Sequence, residues 1–73
     1  MPETINADMG ASVWKVLVAA GDAVEPDTTV VVLESMKMEI PVLAEYAGSV
    51  TAVHVAEGVT VQAGDPLVDI EEP

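Results

Sequence analysis

Shifted by 37 residues, the sequence falls on itself without a gap, and this internal repeat constrains the fold more than any other feature. "SVWKVLVAAGDAVEPDTTVVVLE", from Ser12, lies over "SVTAVHVAEGVTVQAGDPLVDIE", from Ser49. Val13 falls on Val50, Val16 on Val53, Val18 on Val55 and Gly21 on Gly58. Val24 falls on Val61, Val31 on Val68, Leu33 on Ile70 and Glu34 on Glu71, and upstream Ala7 falls on Ala44. The coincident positions are mainly apolar residues and glycines, which set cores and turns. Two copies are too few for a solenoid, which needs about three repeats or more. A two-fold arrangement of two sheet halves accommodates them.

Each copy has the same order of elements. A valine-rich strand is expected near 12–19 and again near 49–56, followed by a turn at Gly21 or Gly58. Val24 and Val61 mark very short strands. A second turn, "EPDTT" or "AGDP", leads to a last strand over 29–34 or 66–71. Val13 to Val16 is an odd step and Val16 to Val18 an even one, so a bulge in the first strand is needed to keep all three inward. No segment combines helical period with helical length, so no helix is expected. Short, β-branched strands at this spacing predict an all-β fold, a small β-sandwich or flattened antiparallel barrel.

Seventy-three residues allow a single domain, 1–73, with a core near the lower size limit. There is no cysteine, so disulfides, thiolate zinc sites and thiol chemistry are excluded. The formal net charge of -11 excludes nucleic acid as a partner and disfavours anionic membranes. No apolar run reaches the roughly 20 residues that cross a bilayer. The N-terminal stretch has no basic region ahead of an apolar block, so a cytoplasmic protein is expected. A monomer is expected because the core closes on itself.

Against this background "ESMKMEIP", residues 34–41, stands out. It holds Lys37, one of only two lysines in the chain, between Met36 and Met38, with Glu34, Ser35 and Glu39 around them. "VVVLE" and "EIPVLA" flank it as two strands, so Lys37 is expected at a hairpin tip, at the unique junction between the two copies. Pro41 cannot donate to a ladder and belongs at an edge. Tight hairpin turns favour Asn-Gly or Asp-Gly because both central residues need positive φ, and Met-Lys suits that poorly. Such a mismatch points to a functional constraint unless a looser four-residue turn relieves it. The ordinary reading of an exposed lysine is a solvated charge. Two flanking methionines argue otherwise, because exposing both costs solubility unless something docks on them.

No catalytic set can be assembled. His54, the only histidine, lies between Val53 and Val55 and is expected to face outward as an ordinary surface residue. The glycines form no phosphate loop, and the carboxylates lack calcium-loop spacing, so no metal site is expected. A free lysine amine, with a pKa of about 10.4, is neutral in roughly one molecule in a few thousand at pH 7. Lys37 is therefore not a self-activated nucleophile, and acylating it requires an enzyme that supplies an activated acyl group.

Met36-Lys37-Met38 after Glu34, between two half-repeats, resembles the biotinyl (biotin carboxyl carrier) domain of the biotinyl/lipoyl-attachment family. The resemblance runs from about Thr4 to Glu71 and includes Gly21, Gly58 and the "AGD" of Ala63 to Asp65. It implies a flattened barrel of two four-stranded antiparallel sheets related by a quasi-two-fold axis. It also implies covalent biotin on Lys37, attached by a biotin protein ligase, with Met36 and Met38 serving ligase and partner recognition. Glu34, Ser35 and Glu39 complete the recognised hairpin. The implied carrier, itself non-catalytic, takes carboxylate from an ATP-dependent biotin carboxylase to a carboxyltransferase. Ser35 stands where the family usually has alanine, and "EPDTT" where it often has Gly-Asp. No segment matches the thumb that some carriers insert. Two alternatives remain: a lipoyl carrier, whose lysine usually follows aspartate and precedes alanine, and an unmodified acidic module that binds a partner through its apolar tip.

Overall fold

The computed structural model describes residues 2–72. The two end residues of the expected 1–73 unit lie outside them. Eight strands form two four-stranded antiparallel sheets, and the described residues contain no helix. The strands are β1 (Pro2–Asn6), β2 (Ala11–Val16), β3 (Ala23–Val24), β4 (Thr29–Ser35), β5 (Met38–Leu43), β6 (Gly48–Val53), β7 (Thr60–Val61) and β8 (Pro66–Glu71). One sheet runs β1-β8-β6-β3 and the other β5-β4-β2-β7. The 37-residue shift turns the first order into the second, so the repeat read in the sequence is the quasi-two-fold of the fold. Each sheet nevertheless draws two strands from each copy. The halves are interleaved rather than stacked, and neither copy can complete a sheet alone.

The symmetry extends to the turns. The backbone bonds outside the ladders form related pairs. Gly21 N–H donates to Val50 O at 2.7 Å, and Gly58 N–H to Val13 O at 2.8 Å. Ala44 N–H donates to Thr28 O and Ala7 N–H to Asp65 O, both at 2.8 Å. The "EPDTT" turn is the same turn as its counterpart, built from other residues. Asp27, with φ 70°, takes the left-handed position of Gly64, with φ 93°. Thr28 Oγ1 accepts from Glu25 N–H at 2.9 Å as Asp65 Oδ2 accepts from Gln62 N–H at 2.9 Å.

The expected bulge is present in both copies. The β2–β4 register slips between Val13 and Lys15, and the β6–β8 register between Val50 and Ala52. The inserted residues, Trp14 and Thr51, let Val13 and Val16, and Val50 and Val53, share the inner face. The expected spans 12–19 and 49–56 are too long: the strands end at Val16 and Val53. Leu17 N–H still reaches Val30 O at 3.0 Å, but Asp22 Oδ2 then accepts from Ala19 N–H and turns the chain. Val18 and Val55 pack on the core from these connections without belonging to strands.

The core joins both sheets through Val13, Val30, Val31, Leu33, Val50, Leu67, Val68 and Ile70, all essentially inaccessible. Burying an aliphatic side chain of this kind is worth about 1.5–3 kcal/mol. Gly48 is fixed by packing: a Cβ there would lie 2.5 Å from Glu71 O.

Candidate functional site

Lys37 lies at the tip of the β4–β5 hairpin. β4 is an inner strand, paired with both β2 and β5, and Val30, Val31 and Leu33 root it in the core. β5 is an edge strand, and Pro41 sits on it opposite Val32, where its missing N–H leaves the ladder intact. Leu33 opposite Ile40 is the last pair of the hairpin that packs on the core. Two further pairs, Glu34 with Glu39 and Ser35 with Met38, carry the hairpin outward. At roughly 3.4 Å per residue they place the tip about 10 Å beyond the last core pair.

The turn is the tight one. Only Met36 and Lys37 separate the strands, with φ of 53° and 66°. Positive φ at both central residues is the backbone that favours Asn-Gly. For a residue with a Cβ the left-handed region costs roughly 1–2 kcal/mol. No looser turn relieves the mismatch read in the sequence.

All six residues singled out, 34 to 39, are therefore brought together on one hairpin end. Met36 is 92% exposed and Met38 67% exposed; Lys37, Glu34 and Glu39 are exposed, and Ser35 is half-buried. Among the described residues no side-chain hydrogen bond or ion pair involves any of them. Glu34 faces Glu39 directly, a like-charge pair that weakens a ladder. The site is convex: it presents an amine in an apolar frame and encloses nothing. A surface cleft of about 540 Å³ beside His54 and Asp65 lies away from it, and one of about 320 Å³ between β1 and β5 begins at Ile40, next to Glu39.

His54 is exposed, as expected, but it is not solitary. Its Nε2 lies 3.0 Å from Asp69 Oδ2, while Thr4 donates its hydroxyl to Asp69 Oδ1 at 2.7 Å. The Thr4 hydroxyl, and then His54, hold the Asp69 carboxyl below the usual carboxylate range. The sequence reading missed this cluster. The repeat carries its signal, because Asp69 falls on Val32, a charged residue at an apolar position. Tyr46 was also passed over: its hydroxyl is buried without a hydrogen-bond partner among the described residues. Burial, with the carboxylates of Glu3, Glu72 and Glu45, pushes this phenol up to about 12.

Residues 1–70 match the biotin/lipoyl family, described as biotin-requiring enzyme. The chain is 51% identical over 70 residues to the biotinylated protein TB7.3 homolog of Mycobacterium leprae, covering 96% of this chain and 99% of that protein. It is 46% identical over 67 residues to the biotin carboxyl carrier protein of Streptococcus mutans, covering 92% of this chain. The chain spans 52% of that carrier's length. Among solved structures, the urea carboxylase of Kluyveromyces lactis superposes with a TM-score of 0.90 at 32% identity, over 97% of this chain and 6% of that one.

Proposed function

The chain belongs to the biotin/lipoyl family, and on that premise we propose that it is a biotin carboxyl carrier, a single carrier domain over 1–73 whose Lys37 bears covalent biotin. The observation that carries the proposal is the tip itself. A lysine and a methionine hold a left-handed two-residue turn that suits neither, with both methionines exposed. The fold gains nothing from that choice, whereas an enzyme that must grip and acylate one amine does.

Attachment forms an amide between Lys37 Nζ and an activated biotinyl carbonyl. The leaving group departs with its bonding electrons, and the amine gives its proton to a base of the ligase. Among the described residues no carboxylate or histidine is hydrogen-bonded to Lys37 to supply this base. Bound there, biotin supplies a ring that takes up carboxylate in one active site and releases it in another. The residues of this chain do the rest by position. The core-rooted hairpin fixes the base of the arm, Met36 and Met38 offer apolar contact, and the amide removes the lysine charge. A short flexible tether raises the local concentration of its load to the order of millimolar. Chemistry then falls to partners: a biotin protein ligase, a biotin carboxylase and a carboxyltransferase, with the carrier a cytoplasmic monomer. Met-Lys-Met favours biotin over lipoate at the same lysine.

Lys37→Arg tests the reading against the other lysine, Lys15. Incubated with a biotin protein ligase, biotin and ATP, the variant is expected to lose all avidin binding and keep its unfolding temperature. Lys15→Arg is expected to remain fully biotinylated. Avidin binding retained by Lys37→Arg moves the site elsewhere and breaks the proposal.

A further inference from the structure

The quasi-two-fold allows the outer faces of the two sheets to be compared position by position. On the β1-β8-β6 face stand Thr4, Asp69, Thr51, Ala52 and His54. Their polar groups are bonded to one another: Thr4 and His54 to the Asp69 carboxyl, and Thr51 Oγ1 to Asp69 O at 3.4 Å. The same places on the β5-β4-β2 face hold Pro41, Val32, Trp14, Lys15 and Leu17. Val32 pairs with Pro41 on one side and Lys15 on the other. Leu17 has the place beside Val32 that His54 has beside Asp69. Trp14 is 44% exposed and Leu17 54% exposed, and Lys15 Nζ lies 5.7 Å from the Trp14 ring centre. One backbone geometry thus carries a satisfied polar face on one sheet and an uncovered apolar face with a cation on the other. The fold does not demand the apolar version.

We infer that the Trp14–Lys15–Leu17–Val32–Pro41 face is the second half of the docking surface for the enzyme that acylates Lys37, which rests on the carrier reading above. Three observations select this occupant. The face is continuous with the tip, because Val32 and Pro41 lie on the same hairpin, five and four residues from Lys37. At roughly 3.3 Å per residue that is about 13–17 Å. A standard interface covers about 800 Å² per partner, a disc of about 16 Å radius, so an enzyme centred on the tip and following this side of the hairpin reaches the Val32–Pro41 row with Lys15 and Trp14 beside it. Leu17, level with Val30, lies at the far margin, about 23 Å from the tip. An acylating enzyme must come this close, because the unmodified lysine has no arm to extend. The charges also select the partner. Glu34 and Glu39 lie between tip and patch and Lys15 within it. The complementary face is apolar, with a carboxylate for Lys15 and cations for the two glutamates. A second copy of a chain with net charge -11 is repelled instead.

The test gives this face the residues of its own counterpart: Trp14→Thr, Leu17→His and Val32→Asp together. Trp14→Thr alone, in the row the enzyme reaches, is the milder second variant, and His54→Leu is the control on the other sheet. Steady-state biotinylation is measured with a biotin protein ligase, biotin and ATP, alongside unfolding temperature and sedimentation. KM for the carrier is expected to rise about tenfold or more in the triple variant and severalfold in Trp14→Thr, with kcat unchanged. His54→Leu is expected to keep the wild-type KM. A folded Trp14→Thr and triple variant with KM within twofold of wild type overturns the inference while leaving Lys37 as the site. A wild-type dimer that the triple variant dissociates also overturns it, because a second copy then covers the face. A wild-type chain that the ligase leaves unmodified at Lys37 removes the carrier reading, and the inference with it.

Discussion

Two kinds of turn in this molecule use left-handed backbone. At Gly21, Gly58 and Gly64 the residue has no Cβ to strain, and at Asp27 it is a type that tolerates the region. Each of these four also donates its N–H to a carbonyl distant in sequence, at 2.7–3.0 Å. They are joints, and their residues suit them. The turn at Met36 and Lys37 takes the same backbone with residues that do not suit it and lies beyond the core, and among the described residues its side chains make no hydrogen bond. Where a turn serves only the fold, local preference and geometry agree. Disagreement at one turn marks the place where something other than stability set the sequence.

The contrast can be broken at either kind of turn. Gly58→Ala is expected to cost about 1–2 kcal/mol in chemical denaturation. No atom lies within 4 Å of a Cβ built there, so the loss is backbone strain alone. No loss would mean that the joints are not held by their glycines. Changing the tip to the preferred pair, Met36→Asn with Lys37→Gly, is expected to stabilise the protein by about 1 kcal/mol while abolishing modification. A destabilised variant would mean that Met36 and Lys37 are structural after all.

A smaller effect separates the two sheet faces. The folded Asp69 carboxyl sits below its ordinary range, so its contribution is complete above the unfolded pKa of about 3.9 and is lost as pH falls through the lower folded value. Asp69→Asn is expected to lower the unfolding temperature near neutral pH. The gap to wild type narrows as the pH is taken below about 4. A gap independent of pH would assign the effect to packing.

The sequence carried much of this account because the repeat is a long-range signal. Aligning Val13 with Val50 and Gly21 with Gly58 already relates strand to strand, and the odd step from Val13 to Val16 already requires the bulge. What was not legible depends on tertiary context. β1 was not read as a strand because "PETIN" is short and polar, and its pairing with β8 supplies its order. The overlong strands followed Val18 and Val55, which do face the core, but the backbone leaves the ladder before them. The polar cluster around Asp69 needed two sheet neighbours, Thr4 and His54, distant in sequence. Tip position and residues were legible throughout, because the mismatch between Met-Lys and a tight turn is local.

The most direct measurement is the intact mass of the protein after expression with a biotin protein ligase and excess biotin, followed by fragmentation to locate the adduct. The account predicts one biotinyl increment, on Lys37. An adduct on Lys15, a lipoyl increment on protein from native cells, or an unmodified chain under both conditions would contradict it.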